Sequence, residues 1–172
     1  GGKLYFPPFN ADQMAVYDKK RHTFERISFQ QQEKLDWLRP GPNRYFTKVV
    51  PYQRFLFLVG NAYPAIVRYD MESGEMVYCT DWVHHLEQAA RQSPHWMKWN
   101  ETNDFNALLR PGREVIGSEI VGNVFVSNEL MFFDMETLTH QFYQIGEQNE
   151  RYYGVCYDGE HYWLASRQGN YI

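Results

Sequence analysis

Short apolar runs that end in an aromatic residue followed by Asp recur along the chain. They occupy residues 15–18, 66–70 and 130–134. A polar turn follows each run, and alternating segments resume at 23–27, 75–78 and 140–143. Asp suits the first position of such a turn because its carboxylate accepts the backbone N–H groups that follow. The pattern therefore predicts three β-hairpins whose first strand ends at the Asp.

A further strand is predicted upstream of each hairpin, at 3–6, 54–59 and 123–126, and again at 161–165 after the turn at 157–160. A short polar loop with an Asn joins each of these strands to the next one. The four are Asn10, Asn61, Asn128 and Asn170. Asn tolerates left-handed backbone, and we expect it to serve that purpose in these loops.

The tetrapeptide Leu-Arg-Pro-Gly occurs twice, at 38–41 and at 109–112, and each copy is predicted to precede a strand, at 44–50 and at 114–117. With these strands the repeating unit has four short strands rich in Tyr, Phe and Val. Four strands in a unit of this size are typical of β-propeller blades, whereas ankyrin and tetratricopeptide repeats are helical.

The predicted fold class is therefore all-β: a partial β-propeller of about three four-stranded antiparallel blades. The whole chain, 1–172, is one domain. The blades are placed at 3–28, 44–79, 114–144 and 151–172, the last incomplete, with insertions at 30–43 and 80–113. One short helix is predicted in the second insertion, where Trp82, Leu86, Ala89 and Ala90 share one helical face.

The segment Tyr157-Asp158-Gly159-Glu160-His161-Tyr162-Trp163-Leu164 resembles the DG-x-x-x-W strand pair of kelch-like and streptogramin-lyase-like propellers. This resemblance supports the blade architecture and does not select one family. Propellers close with about 4–8 blades. We therefore expect the ring to be completed by self-association or by the remaining blades of a longer chain.

Composition narrows the classes of partner. The chain has 17 basic and 21 acidic side chains, a net charge of −4, and this excess of acid argues against nucleic acid. No apolar run is long enough to span a membrane and no signal peptide is visible, which slightly favours a cytoplasmic location. Cys79 and Cys156 are expected to be free, half-buried thiols, and no metal or cofactor is expected.

The two insertions are both connections from the fourth strand of one blade to the first strand of the next, so they decorate one face of the propeller. They hold four of the five Trp residues. Flat aromatic faces stack on sugars or proline, while Asn and Arg fix polar groups. The predicted ligand-binding residues are Trp37, Arg39, Asn61, Tyr63, Trp82, Trp96, Trp99, Arg110, Asn128 and Arg167.

The favoured function is a non-catalytic module of a larger protein that binds a glycan, a peptide or a protein on this face. A propeller enzyme, either a lyase or a glycoside hydrolase, is the first alternative, and a structural or assembly module is the second. Streptogramin-lyase-like propellers, which the chain resembles, use His, Glu and magnesium on the propeller face. Candidates for such a catalytic role are His95, Glu101, Glu129 and His161. His84 and His85 are adjacent on the predicted helix, point in different directions, and are expected to be solvated or capping residues.

Overall fold

The computed structural model describes residues 2–9, 11–30, 32, 35, 37–38, 46–92, 107–147, 150 and 152–166, with the backbone alone at 110, 111, 113 and 114. These residues form strands and one helix, in the order β1 Lys3–Phe6, β2 Gln13–Asp18, β3 Thr23–Ser28, β4 Lys48–Tyr52, β5 Phe55–Val59, β6 Ile66–Asp70, β7 Met76–Cys79, α1 Trp82–Gln92, β8 Leu109–Ile116, β9 Glu119–Val124, β10 Glu129–Asp134, β11 His140–Gln144, β12 Tyr152–Tyr157 and β13 Tyr162–Ser166.

The strands form four antiparallel sheets in chain order. Sheet 1 contains β1–β3, sheet 2 β4–β7, sheet 3 β8–β11 and sheet 4 β12–β13. Every neighbouring pair within a sheet is also consecutive in sequence, so each sheet is a simple meander. By register, β1–β3 correspond to the second, third and fourth strands of sheets 2 and 3.

The side chains of alternate strand positions join successive sheets face to face. Leu56 and Leu58 of β5 pack in one apolar cluster with Met14 and Val16 of sheet 1. Their neighbour Phe57 packs in another cluster with residues of sheet 3. Successive residues of a strand point to opposite faces, so one strand supplies two interfaces. The chain is therefore an all-β partial propeller, as predicted, and its core lies between its blades.

The predicted Asp turns are present in all four sheets. In each, one carboxylate oxygen accepts the N–H groups of the second and third residues that follow, at Asp18, Asp70, Asp134 and Asp158. In sheets 1 to 3 the fourth residue after the Asp has left-handed backbone: His22 (φ 54°), Gly74 (φ 77°) and Leu138 (φ 59°). The turn geometry is thus kept even where the residue is not glycine.

The loop asparagines that the structure describes serve another purpose than the one predicted. Neither Asn61 nor Asn128 has positive φ, so the expectation of left-handed backbone is wrong at both. Asn128 is buried and its amide nitrogen donates hydrogen bonds to the carbonyl oxygens of Ile145, at 2.9 Å, and Glu147, at 3.0 Å. It therefore satisfies backbone groups of the connection toward sheet 4.

Two strand predictions around sheet 3 need correction. The second Leu-Arg-Pro-Gly copy lies inside β8 and does not precede it, because Leu109 and Pro111 already pair with β9. A break in register between Pro111 and Val115 accommodates the proline, which has no N–H to donate. The strand predicted at 123–126 ends at Val124; Phe125 and Val126 are loop residues that are nonetheless buried in the core.

Both cysteines are free, as predicted. Cys79 is half-buried, but Cys156 is exposed, so the expected half-burial is wrong at Cys156. In the part of the chain that the structure describes, no helix has the length and apolar character needed to cross a membrane.

Candidate functional site

Loops from the described sheets meet at one end of the blades. There the connection that leaves a sheet donates a backbone N–H to the loop between its second and third strands. The pairs are Phe46 to Pro8, at 3.4 Å, Leu108 to Asn61, at 2.6 Å, and Ile145 to Asn128, at 2.8 Å. We call this end the loop face, and the opposite end, which carries the Asp turns, the turn face. Both predicted insertions leave and re-enter the sheets at the loop face.

The insertion between sheets 2 and 3 begins with α1, which is fixed to the blades by its apolar side. Trp82, Leu86 and Ala90 are fully buried, one helical turn apart from one another. The Trp82 indole N–H also donates a 2.8 Å hydrogen bond to the carbonyl oxygen of Cys79, the last residue of β7. The predicted helix and its buried face are confirmed, and α1 is a fixed part of the structure.

A polar contact joins α1 to sheet 3 beside the loop face. His85 Nε2 lies 2.9 Å from Glu129 Oε1, and the Ser127 hydroxyl donates a 2.6 Å hydrogen bond to Glu129 Oε2. The His85 ring stacks on Phe142 with a centroid distance of 4.0 Å and an interplanar angle of 14°. Both carboxylate oxygens of Glu129 are therefore engaged, and the cluster links the helix, the loop and β11.

His140 extends this cluster along β11. Its ring meets the edge of Phe142, with centroids 5.5 Å apart. Burial lowers the pKa of His140 below its ordinary value; Asp81 acts in the opposite direction, while His85 adds to the lowering. A neutral imidazole is therefore favoured at His140.

The outer side of α1 presents polar groups toward solvent. His84 and Gln88 are exposed and their side-chain nitrogens lie 3.0 Å apart. Glu87 and Arg91 form an ion pair at 2.7 Å. All four groups point away from the buried apolar side, so α1 carries an ordered polar surface beside the loop face.

Five of the predicted ligand-binding residues lie in the core or beneath the loops. They are Trp37, Asn61, Tyr63, Trp82 and Asn128, with exposed fractions between 1% and 9%. Tyr63 donates a 2.7 Å hydrogen bond to the carbonyl oxygen of Gln30. The Asn61 carbonyl accepts from Leu108. These contacts order the loop face, and binding of a ligand by the five residues stays a prediction.

Two of the catalytic candidates are described, and the structure does not bring them together. Glu129 begins β10 at the loop face, whereas His161 lies in the turn before β13 at the turn face. The His161 side chain is 65% exposed, and its nearest carboxylate is that of Asp158, at 3.9 Å. Among the described residues no three His, Cys, Asp or Glu side chains gather as metal ligands would.

The other predicted site residues lie outside the described residues: Arg39, His95, Trp96, Trp99, Glu101 and Arg167. Arg110 is a residue of β8 whose side chain is not among those described.

The sequence reasoning missed the role of His85 and Ser127. His85 was expected to be solvated or to cap the helix, but it contacts Glu129 and Phe142. Its position one residue before buried Leu86, at the border of the apolar stripe, is the signal that places it against a neighbouring element. Ser127 has no comparable signal, because its contact depends on how the loop folds back over Glu129.

No protein-family profile and no curated protein matches the chain. Among solved structures, it is similar to the extracellular domain of a B. thetaiotaomicron protein described as a one-component system, with 10% identity and a TM-score of 0.54 over 98% of this chain and 20% of that one. A second structure, described as the extracellular domain of a hybrid two-component system from B. thetaiotaomicron, gives 10% identity and a TM-score of 0.52 over 96% and 20%.

Virginiamycin B lyase from Staphylococcus aureus is matched with 14% identity and a TM-score of 0.37, over 95% of this chain and 59% of the lyase. The likeness to the two B. thetaiotaomicron domains, at 10% identity, concerns fold alone. The chain spans about a fifth of the length of the first two structures, at 20% each. The four antiparallel sheets of the described residues, packed face to face in chain order, make the chain a β-propeller-like module.

Proposed function

We propose that the chain is a non-catalytic binding module of a larger protein, and that a glycan, peptide or protein ligand binds to the loop face around α1. One observation carries the proposal. The second insertion begins with a helix whose apolar side is buried, at Trp82, Leu86 and Ala90, while its polar side is presented beside loops held by hydrogen bonds. A recognition surface on a rigid scaffold loses little conformational entropy on binding.

The chemistry of the described part of the loop face favours binding over catalysis. Glu129 is 16% exposed, and both its carboxylate oxygens already have partners. Ser127 donates to Glu129 and not to His85, so these three residues do not have the hydroxyl–imidazole–carboxylate order of a serine-hydrolase triad. A general acid or base needs an oxygen or nitrogen free to meet the substrate.

The proposal is tested by screening the purified chain against a glycan array and a phage-displayed peptide library. For each probe bound, we expect the double variant His84→Ala/Gln88→Ala, which alters the exposed side of α1, to bind about tenfold or more weakly. Glu75→Ala is the matched control, because Glu75 is exposed at the turn face. Its binding should equal that of the unmodified chain.

Three results would contradict the proposal. The first is that no probe of either class binds. The second is that binding survives the α1 substitutions and is lost in Glu75→Ala. The third is that mass spectrometry detects conversion of a bound probe, which would favour the propeller-enzyme alternative.

A further inference from the structure

The two ends of the blade stack expose apolar sheet faces. We call the side of a sheet that meets the preceding sheet its front, and the side that meets the following sheet its back. The front of sheet 1 exposes Leu4 (43%), Phe6 (50%) and Phe24 (70%). The back of sheet 4 exposes Trp163 (57%). These are among the most exposed large apolar side chains in the described residues, and contiguous apolar surface of this kind marks an interaction site.

In sheets 2 and 3, the positions equivalent to those on the front of sheet 1 are buried between sheets. Leu4 pairs with Tyr17 across β1 and β2, as Leu56 pairs with Tyr69 in sheet 2. The exposed fraction is 43% at Leu4 and 6% at Leu56. Sheet 3 has the same arrangement, because Ile120, at 1%, pairs with Phe133. Among the residues that the structure describes, sheet 1 is the one sheet of these three in which this position has no covering sheet.

The next pair along the strands repeats the contrast. Phe6 pairs with Ala15, as Leu58 pairs with Val67 in sheet 2. Phe6 is 50% exposed and Leu58 is fully buried.

The back of sheet 4 is equivalent to a surface that, in sheet 2, is covered by the following sheet. Trp163 lies on the second strand of sheet 4 as Phe57 lies on the second strand of sheet 2, and both point toward the position of a following sheet. Phe57 is fully buried against sheet 3, whereas Trp163 is 57% exposed. Ala165, two residues further along β13, extends the same exposed face.

Charge also matches between the two ends. Where sheets 2 and 3 meet, the Tyr52 hydroxyl, next to the first hairpin turn of sheet 2, donates a hydrogen bond to Glu136 in the Asp turn of sheet 3. A sheet 1 placed behind sheet 4 would therefore bring its Asp turn, with Lys19, Lys20 and Arg21, beside the first hairpin turn of sheet 4. That turn carries Asp158 and Glu160. Opposite charges thus meet in the contact.

We propose that the back of sheet 4 binds the front of sheet 1 of a second copy of this chain, continuing the stack of blades from one copy into the next. Such a contact joins two different surfaces, so it propagates head to tail into a ring or an open chain of copies. This surface is separate from the loop face and does not depend on the proposed ligand.

The test is the mass of the purified chain by size-exclusion chromatography with multi-angle light scattering. We expect an apparent mass that rises above the 20.6 kDa of one copy as concentration increases. Phe6→Lys blocks only the front of sheet 1, and Trp163→Lys blocks only the back of sheet 4. Each variant alone should remain at the mass of one copy.

Mixing the two variants distinguishes this contact from others. Phe6→Lys keeps an intact sheet 4 and Trp163→Lys keeps an intact sheet 1, so the mixture should form a 1:1 dimer that grows no further. Ala165→Lys is a second block of sheet 4 that leaves the hydrogen bond from Trp163 to Asp158 in place. Tyr143→Lys, at an equally exposed aromatic residue of β11, is the matched control and should associate like the unmodified chain.

A charge exchange tests the orientation. Lys20→Glu and Glu160→Lys should each weaken association, while the chain carrying both should recover it, because each exchanged residue then meets its exchanged partner on the next copy.

Three results would overturn the proposal. If the unmodified chain stays at the mass of one copy, the front of sheet 1 and the back of sheet 4 do not bind each other between copies, and other blades of a longer polypeptide would cover them. Association of Trp163→Lys and Ala165→Lys at the strength of the unmodified chain shows that sheet 1 binds sheet 1. Association that both single blocks and their mixture leave unchanged shows non-specific apolar contact.

Discussion

The Asn123 side chain joins two sheets, because its amide nitrogen donates a 2.8 Å hydrogen bond to the backbone carbonyl oxygen of Tyr152. Asn123 lies on β9 of sheet 3 and is 1% exposed, while Tyr152 begins β12 of sheet 4. A buried polar group that loses its partner costs more than a hydrogen bond at the surface gains. This contact therefore fixes the position of sheet 4 within the stack.

We expect Asn123→Ala to reduce the free energy of unfolding by about 1–3 kcal/mol, because the Tyr152 carbonyl would lose this donor. Urea unfolding followed by circular dichroism measures the change. Gln144→Ala, at an exposed position of β11, is the control and should change stability by less than about 0.5 kcal/mol. Equal stability of the two variants would show that the bond does not hold sheet 4.

Gly112 is required for the close approach of sheets 3 and 4. A Cβ atom at this position would lie 2.9 Å from Val155 Cγ1 and 3.1 Å from the Val121 carbonyl oxygen. We expect Gly112→Ala to destabilise the chain by about 1–3 kcal/mol through overpacking.

Removing the Val155 methyl groups tests whether overpacking is the cause. The double variant Gly112→Ala/Val155→Ala should cost less than the two single changes added together, because the new methyl group then has room. Thermal unfolding gives the comparison, and strictly additive costs would show that Gly112 is not limited by Val155.

The sequence predicted the elements that depend on local chemistry. The Asp turns were predictable because a carboxylate followed by polar residues accepts its own turn's N–H groups, as at Asp134. Helix α1 was predictable because Trp82, Leu86 and Ala90 recur at helical spacing. The blade architecture was predictable because four short strands recur in a unit of the size of a propeller blade, as sheets 2 and 3 now show.

The features it did not predict depend on contacts between distant segments. Phe125 and Val126 continue the apolar run of β9, so the sequence predicts a strand there. They are instead loop residues, buried in the same core cluster as the apolar side of α1. A buried strand and a buried loop are both rich in apolar residues, so the sequence pattern does not distinguish them. The contact of His85 with Glu129, 44 residues away, likewise depends on the docked helix.

The turn carboxylates predict how stability depends on pH. Backbone N–H groups of Thr137 and Glu136 lower the pKa of Asp134, and equivalent bonds lower the pKa of Asp18, Asp70 and Asp158. A carboxyl whose pKa is lower in the folded state stabilises the fold above its unfolded value, about 3.9, and this contribution is lost as pH falls through the folded value. We expect the free energy of unfolding to decrease below about pH 4.

Asp134→Asn isolates one of these groups. The amide oxygen still accepts hydrogen bonds but does not ionise, so we expect a loss of about 1 kcal/mol at neutral pH and a shallower decrease in acid. Urea unfolding between neutral and acid pH gives both values. An unchanged acid slope would show that Asp134 does not contribute to it.

The apolar side of α1 should hold the second insertion more strongly than its polar contact does. Leu86 is fully buried among residues of sheets 2 and 3, and Leu86→Ala is expected to cost about 2–5 kcal/mol. His85 is 42% exposed in its contact with Glu129, so His85→Ala should cost less than about 1 kcal/mol.

Hydrogen exchange of the α1 amides, measured by mass spectrometry, distinguishes loss of helix docking from loss of the whole fold. Leu86→Ala should lose protection within α1 while β5 and β9 stay protected; Gln88→Ala, on the exposed side, should retain all of it. If His85→Ala released the helix and Leu86→Ala did not, the polar cluster and not the core would hold α1. The proposed binding surface would then depend on a contact that solvent reaches.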